Sequence, residues 1–266
     1  MEEEESLCSE YNPEGSDLRR MQLRMLEILD AVDRICKEHN ITYWLSSGTL
    51  LGAIRHKGFI PWDDDLDIEL LRDDYFKLIN LLELELPKEY VLQTNKTDNN
   101  YFNHYAKVRD LSSCLVEENN ANCNYKYKGI FIDIFPMEHT RNALLKFSAY
   151  IQFYIVLKMS KKKNDILGVK RILVQAFYVL TKLLFSFFRM LSVLEKDYIT
   201  FPYGSYYPLK YNKNILFPTS LVLFEGKLYP APKDWKKYLE LAYGNYEKLP
   251  SKEERRVHTS KVVFDE

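Results

Sequence analysis

The sequence predicts an α+β fold, and three observations lead to this class. A long amphipathic pattern begins at Asp17, short segments rich in β-branched and aromatic residues lie at 41–45 and 129–136, and helix-length apolar stretches follow residue 140. The chain has 266 residues, of which 46% are hydrophobic. This is enough for one large domain with a substantial core.

The first element predicted is a helix that starts at Asp17 and ends near His39. Its apolar residues recur at steps of three and four positions. The polar, acidic residues 1–16 that precede it are expected to form a disordered tail, so the domain is predicted to span 17–266. Residues 41–45 are predicted to form a strand, and 50–56 a short helix.

The middle of the chain alternates strands and helices. The run 62–70 is predicted to be a strand, and 73–84 a helix that ends before Pro87. Residues 88–128 are predicted to form short strands and loops. The segment 129–136 is a strand of almost uniform apolarity with one carboxylate in its centre.

The segment 141–200 differs in composition, since it contains eleven Lys and Arg but only three Asp and Glu. Its apolar stretches at 147–157 and 172–194 have helical length, and we interpret them as two amphipathic or buried helices. Unbroken apolar runs here are shorter than the ~20 residues of a spanning helix. Peripheral binding to an anionic membrane is one hypothesis, and burial against the core is the other. Beyond residue 200 we predict a short strand at 221–224 and a helix from 234 to about 243.

Composition also bears on partners and location. The chain carries 37 Lys and Arg against 38 Asp and Glu, which gives no indication of nucleic-acid binding. Its four cysteines show neither a disulfide nor a zinc pattern and favour a reducing compartment. The N-terminus reads MEEEE, unlike a signal peptide. We therefore expect a cytoplasmic protein.

The run WDDDLDIEL at 62–70 is the strongest chemical signal. On a strand with a period of two, Asp63, Asp65, Asp67 and Glu69 would share one face, roughly 6.5–7 Å apart. Crowded carboxylates repel one another unless a cation lies between them, and oxygen ligands favour Mg²⁺ or Mn²⁺. The alternatives are a solvated acidic loop and a calcium loop. The calcium loop fits poorly because its sixth position is Ile68 instead of glycine.

A third carboxylate, Asp133, stands alone in the apolar strand at 129–136. A buried carboxylate is costly unless it is paired or bound to a metal. The sequence leaves two interpretations open: a third metal ligand, or a buried residue that caps a neighbouring element.

Phosphate contacts are predicted around the Gly48-Thr49 turn, which opens a short helix and offers backbone N–H groups and a hydroxyl. Arg55 and Lys57 could add positive charge, although an ordinary helix start is the alternative. Lys107 lies on one face of a predicted strand with Arg109, where a phosphate contact or a surface salt bridge would fit.

Three groups of residues together resemble the LicD family of bacterial phosphotransferases, which are related to fukutin and fukutin-related protein. The first motif is WLSSGTLLGAIRHKGFIPWDDDLDI at 44–68, and the second is GIFIDIFP at 129–136. The C-terminal pattern includes FEG at 224–226, YGNY at 243–246 and RVH at 256–258. One departure is Asn245, where the family often has a carboxylate.

The resemblance implies a nucleotidyltransferase-like fold, a small mixed sheet flanked by helices, with 141–200 as an added helical segment. It implies that Asp65, Asp67 and Asp133 hold Mg²⁺ or Mn²⁺ and carry catalysis, with Asp133 as a candidate general base. Gly48, Thr49, Arg55, Lys57 and Lys107 would bind substrate.

The reaction that the resemblance implies moves a phosphoalcohol unit, such as phosphocholine, from a CDP-activated donor. The acceptor would be a sugar hydroxyl of a surface glycan such as lipopolysaccharide, or of its lipid-linked precursor, and CMP would be released. Two alternatives remain at this point: a nucleotidyltransferase that releases pyrophosphate, and a non-catalytic glycan-binding protein.

Overall fold

The centre of the protein is a mixed five-stranded sheet. The structure is a computed structural model and describes residues 4–117, 122, 124–153, 169–194, 196–205, 209–255 and 259–264. The strands of this sheet are β1 (Tyr43–Leu45), β2 (Asp67–Leu71), β3 (Tyr90–Gln93), β4 (Ala106–Asp110) and β6 (Phe131–Met137). Their order is β1-β2-β6-β4-β3, and only the β2–β6 pair within this sheet is parallel.

Eight α-helices accompany the sheet in the described part of the chain. They are α1 (Glu4–Tyr11), α2 (Asp17–Glu38), α3 (Ser47–Arg55), α4 (Arg72–Glu85), α5 (Asn142–Tyr150), α6 (Val169–Leu191), α7 (Lys213–Leu216) and α8 (Trp235–Tyr243). Helices α2 and α4 cover one face of the sheet, where Ile68, Val108 and Ile132 are fully buried. These layers confirm the α+β class and the mixed sheet flanked by helices.

Helix α2 agrees closely with the sequence prediction. Its apolar stripe, which includes Met25, Ile28 and Val32, is buried in the main core. Ser16 caps the helix because its side chain accepts a 3.2 Å hydrogen bond from the amide of Arg19.

The N-terminal segment differs from the prediction of a disordered tail at 1–16. Residues Glu4–Tyr11 form α1, and Leu7 is buried in the main core. Glu10 accepts a 2.8 Å hydrogen bond from the ammonium group of Lys252. Burial of Leu7 and the contact between Glu10 and Lys252 hold in place a segment whose composition alone suggests disorder.

Strand β2 begins at Asp67, five residues later than predicted. Residues 61–62 form a turn, and the amide of Asp63 donates a hydrogen bond to the carbonyl of Ile60. Within β2, residues 68–70 pair with β1 and residues 67–71 pair with β6. Residues 63–66 therefore approach the sheet edge as a segment without regular secondary structure, outside the β-ladder.

The C-terminal part contains the strand predicted at 221–224 and further strands that were not predicted. Strand β9 (Ser220–Phe224) forms a hairpin with β10 (Lys227–Ala231), and β11 (Thr259–Phe264) pairs with β5 (Ser113–Glu117). A short pair joins β7 (Tyr198–Ile199) to β8 (Tyr211–Asn212). The RVH segment at 256–258 lies outside the described residues.

Candidate active site

A cavity of about 370 Å³ opens at the sheet edge where β2 starts. Three chain segments supply most of its polar wall: the start of α3, the acidic run and the end of α8. Its lining residues are Ser47, Gly48, Thr49, Asp63, Asp65, Asp67, Phe135, Phe201, Leu209, Tyr211, Ala242 and Tyr243.

Three neighbouring strands align Asp67, Asp133 and Lys107 in one row. Asp67 of β2 lies opposite Asp133 of β6, and Asp133 lies opposite Lys107 of β4. The Nζ atom of Lys107 is 2.6 Å from Oδ1 of Asp133, and both residues are more than nine-tenths buried. The ammonium group also lies 3.3 Å from the centroid of the Phe131 ring. Asp133 is thus part of a buried ion pair beside Asp67.

Asp63 and Asp65 reach the cavity from the irregular segment that precedes β2, and not from a strand as predicted. The carboxylates of Asp63, Asp64 and Asp65 each offer an oxygen, and these oxygens lie within 4.8 Å of one another. Asp63 and Asp65 line the cavity together with Asp67, so the period-two pattern holds for these three residues. In the calcium-loop alternative Asp67 would be a loop residue, whereas here it begins a strand.

The electrostatics of this cluster favour a bound cation. Burial, reinforced by the nearby carboxylates of Asp65 and Asp64, raises the pKa of Asp63 well above its usual range. Burial and the negative charge of Asp133 do the same to the pKa of Asp67, while Lys107 opposes the shift. The five carboxylates of Asp63, Asp64, Asp65, Asp67 and Asp133 and the one ammonium group of Lys107 leave an excess of negative charge, which a divalent cation with oxygen ligands would neutralise.

Helix α3 places its N-terminus against the acidic cluster. The Oγ1 atom of Thr49 accepts a 2.8 Å hydrogen bond from the amide of Asp67, so the helix start and the strand start are joined. At Gly48, an added Cβ atom would come within 2.7 Å of Oδ2 of Asp63. Ser47 has a φ of 47°, in the left-handed region that is uncommon for residues other than glycine. The backbone here is shaped for close approach to the carboxylates.

Glu69 is the member of the predicted charged face that does not reach the cavity. It is fully buried, and its carboxylate accepts hydrogen bonds from Nε1 of Trp44 at 2.8 Å and from the hydroxyl of Tyr238 at 3.0 Å. Burial raises its pKa to about 7, against the effect of these hydrogen bonds. Glu69 therefore joins β1, β2 and α8 behind the site.

The predicted cations lie in different places. Lys107 contacts Asp133 inside the site, whereas Arg55 lines a neighbouring cavity and Lys57 is exposed at the end of α3. Arg109 is fully buried and donates to Gln93 and to the carbonyl of Gly129. The structure brings Lys107 to the carboxylates but not Lys57, and a phosphate contact for each stays a prediction.

The neighbouring cavity has a volume of about 730 Å³ and shares Tyr243 with the first. Its walls include Trp62 and three cationic side chains, those of Arg55, Lys248 and Arg255. Arg55 donates a 3.1 Å hydrogen bond from Nη1 to the carbonyl of Tyr246. An acidic cavity and a cationic one thus meet at a single tyrosine.

Two aromatic residues that line the site, Tyr211 and Tyr243, were not among the predicted site residues. Partial burial, with the carboxylates of Asp67 and Asp63 nearby, raises the pKa of the Tyr243 hydroxyl. Tyr211 lines the same cavity and stacks on Tyr238 with a centroid separation of 4.2 Å. In a chain with 20 tyrosines, position in the sequence gives no indication of which ones line a site.

Comparisons with known proteins find one consistent family. The family model described as "LicD/FKTN/FKRP, nucleotidyltransferase domain" matches residues 40–163. Lipopolysaccharide cholinephosphotransferase LicD of Haemophilus influenzae is 30% identical over 262 residues, covering 91% of this chain and 95% of that protein.

Two mouse proteins match shorter stretches. Ribitol-5-phosphate transferase FKTN is 38% identical over 52 residues, which are 20% of this chain and 11% of that protein. Ribitol 5-phosphate transferase FKRP is 50% identical over 34 residues, which are 13% of this chain and 7% of that protein.

Proposed function

The chain belongs to the LicD family, and from this premise we propose that it transfers a phosphoalcohol unit from a CDP-activated donor to a sugar hydroxyl. The acceptor is a cell-surface glycan such as lipopolysaccharide, or its lipid-linked precursor, and CMP is the second product. Family membership confirms the prediction of an enzyme of the LicD phosphotransferase type. One observation carries the finer proposal: the row Asp67, Asp133 and Lys107 beside the acidic cavity.

A donor diphosphate is an anion, and the cavity that would receive it is lined by three carboxylates. Repulsion between these charges would exclude the donor unless a cation separates them. The residues fit Mg²⁺ or Mn²⁺, since the crowded ligands are all carboxylate oxygens. We propose that Asp65, Asp67 and Asp133 hold this ion, together with Asp63. When bound, it would neutralise the diphosphate and the leaving CMP.

The chain's own residues would then position the reactants. Thr49 fixes the start of β2 and with it Asp67, and the first amides of α3 face the cavity with the positive end of the helix dipole. The acceptor oxygen attacks phosphorus, a new phosphate ester bond forms, and the bond from phosphorus to the CMP oxygen breaks. Asp133 would accept the hydroxyl proton, with Lys107 holding its carboxylate in place.

We assign the nucleoside end of the donor to the larger, neighbouring cavity. Its aromatic wall at Trp62 and its cations Arg55 and Arg255 suit a nucleotide better than a neutral sugar. The shared residue Tyr243 would then lie near the diphosphate. In this arrangement Arg55 retains its predicted role in substrate binding, whereas Lys57 lines neither of the two cavities.

The test incubates purified protein with Mg²⁺ and a panel of CDP-alcohols, including CDP-choline, with and without a crude glycan acceptor. We expect metal-dependent CMP release with one donor and its loss in Asp65→Asn. Asp73→Asn is the matched control because Asp73 is an exposed carboxylate on α4, and it should keep full activity. Pyrophosphate as product would identify nucleotide transfer instead. Full activity in Asp65→Asn would contradict the proposed mechanism.

A further inference from the structure

One side of helix α6 packs against the domain. Its buried residues recur at steps of three and four positions and form a single stripe: Val174, Tyr178, Thr181, Phe185, Phe188 and Ser192. They contact Phe102, Leu145 and Tyr203. This stripe accounts for about one face of the helix.

The remaining surface of α6 is exposed and almost entirely apolar. Ile172, Leu180, Leu183 and Met190 are 69%, 58%, 64% and 70% exposed. Among the side chains that the structure describes at 172–191, the polar residues at exposed positions are Lys182 and Ser186. We call this surface, together with the exposed Phe147 beside it on α5, the apolar face. A solvated helix surface is normally polar, so the apolar face requires a partner.

Polar contacts hold α6 against the domain along its length. Gln175 donates a 2.9 Å hydrogen bond to Asn95, and the hydroxyl of Tyr178 donates to the carbonyl of Asn103 at 3.1 Å. Nearer the C-terminal end, Arg189 pairs with the buried Glu138 at 2.6 Å. The stretch 172–191 is long and apolar enough to cross a membrane by length and composition, but these contacts would all break in a spanning helix. The geometry favours a helix that lies flat.

The composition of the segment that contains the apolar face favours an anionic surface. The segment 141–200 carries a net charge of +8, from eleven Lys and Arg and three Asp and Glu, although the whole chain carries -1. Arg141, Lys146, Lys182 and Lys196 are exposed in the described part of this segment. Lysines with long aliphatic stems can lie beside apolar surface while their ammonium groups contact lipid phosphates.

We propose that α5 and α6 dock on an anionic lipid bilayer, with the apolar face at the boundary between headgroups and acyl chains. A protein partner would be expected to need about one hydrogen bond per 100–200 Å² of interface, and the apolar face offers few groups that could form one. A bilayer needs none, and its anionic headgroups complement the basic segment. This proposal does not depend on the phosphotransfer reaction.

The experiment is flotation of the full-length protein with vesicles of phosphatidylglycerol and phosphatidylethanolamine. The face variant combines Leu180→Gln, Leu183→Gln and Met190→Gln, and the control variant combines Leu84→Gln, Leu221→Gln and Leu228→Gln. The control leucines are 82%, 62% and 57% exposed on α4 and on the β9–β10 hairpin. Because all six residues are exposed, circular dichroism should show folded protein in both variants.

We expect the wild-type protein and the control variant to float with the vesicles. The face variant should lose more than about tenfold in partitioning, since three apolar side chains that would enter the bilayer become polar. Binding should weaken with salt and with pure phosphatidylcholine vesicles.

No flotation of the wild type at low salt, or equal flotation of the face variant, would overturn the proposal. So would a wild-type dimer in analytical ultracentrifugation that the face variant loses, because a second copy would then cover the apolar face. CMP release measured without vesicles tests the proposed function separately.

Discussion

The hydroxyl of Thr49 joins the start of α3 to the start of β2, and this contact sets the position of Asp67. Thr49 is buried, and its Oγ1 atom accepts a hydrogen bond from the Asp67 amide. In Thr49→Val the shape is kept but the amide loses its partner, which costs about 1–3 kcal/mol. We expect this loss in urea unfolding together with a fall in CMP release. Thr49→Ser keeps the oxygen and should retain most of both. Equal damage in the two variants would show that the methyl group, and not the hydrogen bond, is what matters.

Asp67 shows the conflict between stability and function at one residue. Burial and the charge of Asp133 raise its pKa, so the ionised carboxylate destabilises the metal-free fold at neutral pH. Asp67→Asn removes that charge while keeping the shape of the side chain. We expect the free energy of unfolding without metal to rise. We also expect CMP release to fall by more than about a hundredfold. A variant that is both less stable without metal and active would contradict the role we assign to Asp67.

At the scale of elements, local patterns predicted most of the fold. Helix α2, helix α8 and strand β6 were predicted within a few residues because each has a clear period or an uninterrupted apolar run. The start of β2 was predicted five residues too early, since Asp63 and Asp65 follow the two-residue period of a strand but have no partner in the β-ladder. Pairing of β11 with β5 joins residues that are more than a hundred positions apart, and no local pattern encodes it.

The candidate site also contains residues that the sequence predicts and residues that it does not. Asp65, Asp67, Gly48 and Thr49 line one cavity, as expected from a single contiguous motif. Asp133 joins them through the parallel pairing of β2 with β6, which the family resemblance implied but the spacing alone did not. Side chains from the C-terminal helix, above all Tyr243, reach the cavity only through tertiary packing, so the sequence analysis could not select them.

The contact between His104 and helix α6 predicts how the stability of the fold depends on pH. His104 is half-buried against it, with its ring centroid 5.3 Å from that of Tyr178 and 5.1 Å from that of Phe185. Burial lowers its pKa to about 3, and the positive charges of Arg189, Lys182 and Arg72 act in the same direction, against its hydrogen bond with Gln152. The folded protein therefore holds a neutral histidine that the unfolded chain would protonate below about pH 6.5.

The sign of the effect follows from proton linkage. Between about pH 6.5 and pH 3 the unfolded state binds more protons at this position, so stability falls as the pH falls. In His104→Gln this contribution disappears, and the slope of unfolding free energy against pH should decrease by up to about 1.4 kcal/mol per pH unit. Urea unfolding at a series of pH values measures both slopes. Parallel curves for wild type and variant would exclude His104 as the origin.

At the scale of the whole molecule, the proposed metal site in the acidic cavity predicts that metal binding stabilises the fold. A cation that binds only the folded state stabilises it by about 2.7 kcal/mol at a hundred times its dissociation constant. For a chain of this size that corresponds to a rise in melting temperature of about 5–10 °C. We expect this rise with Mg²⁺ or Mn²⁺ in thermal unfolding of the wild-type protein, and its loss in Asp67→Asn.

A second group with metal-ligand spacing supplies the control for this prediction. Glu38, His39 and Glu85 also bring their ligand atoms within 4.8 Å of one another, on the exposed surface between the ends of α2 and α4. In Glu85→Gln the metal-induced rise should remain, because we propose that the stabilising ion binds among the cavity carboxylates, where like charges repel one another in the folded state. A rise that survives Asp67→Asn but disappears in Glu85→Gln would move the metal to this surface group. The catalytic carboxylates would then have to act without it.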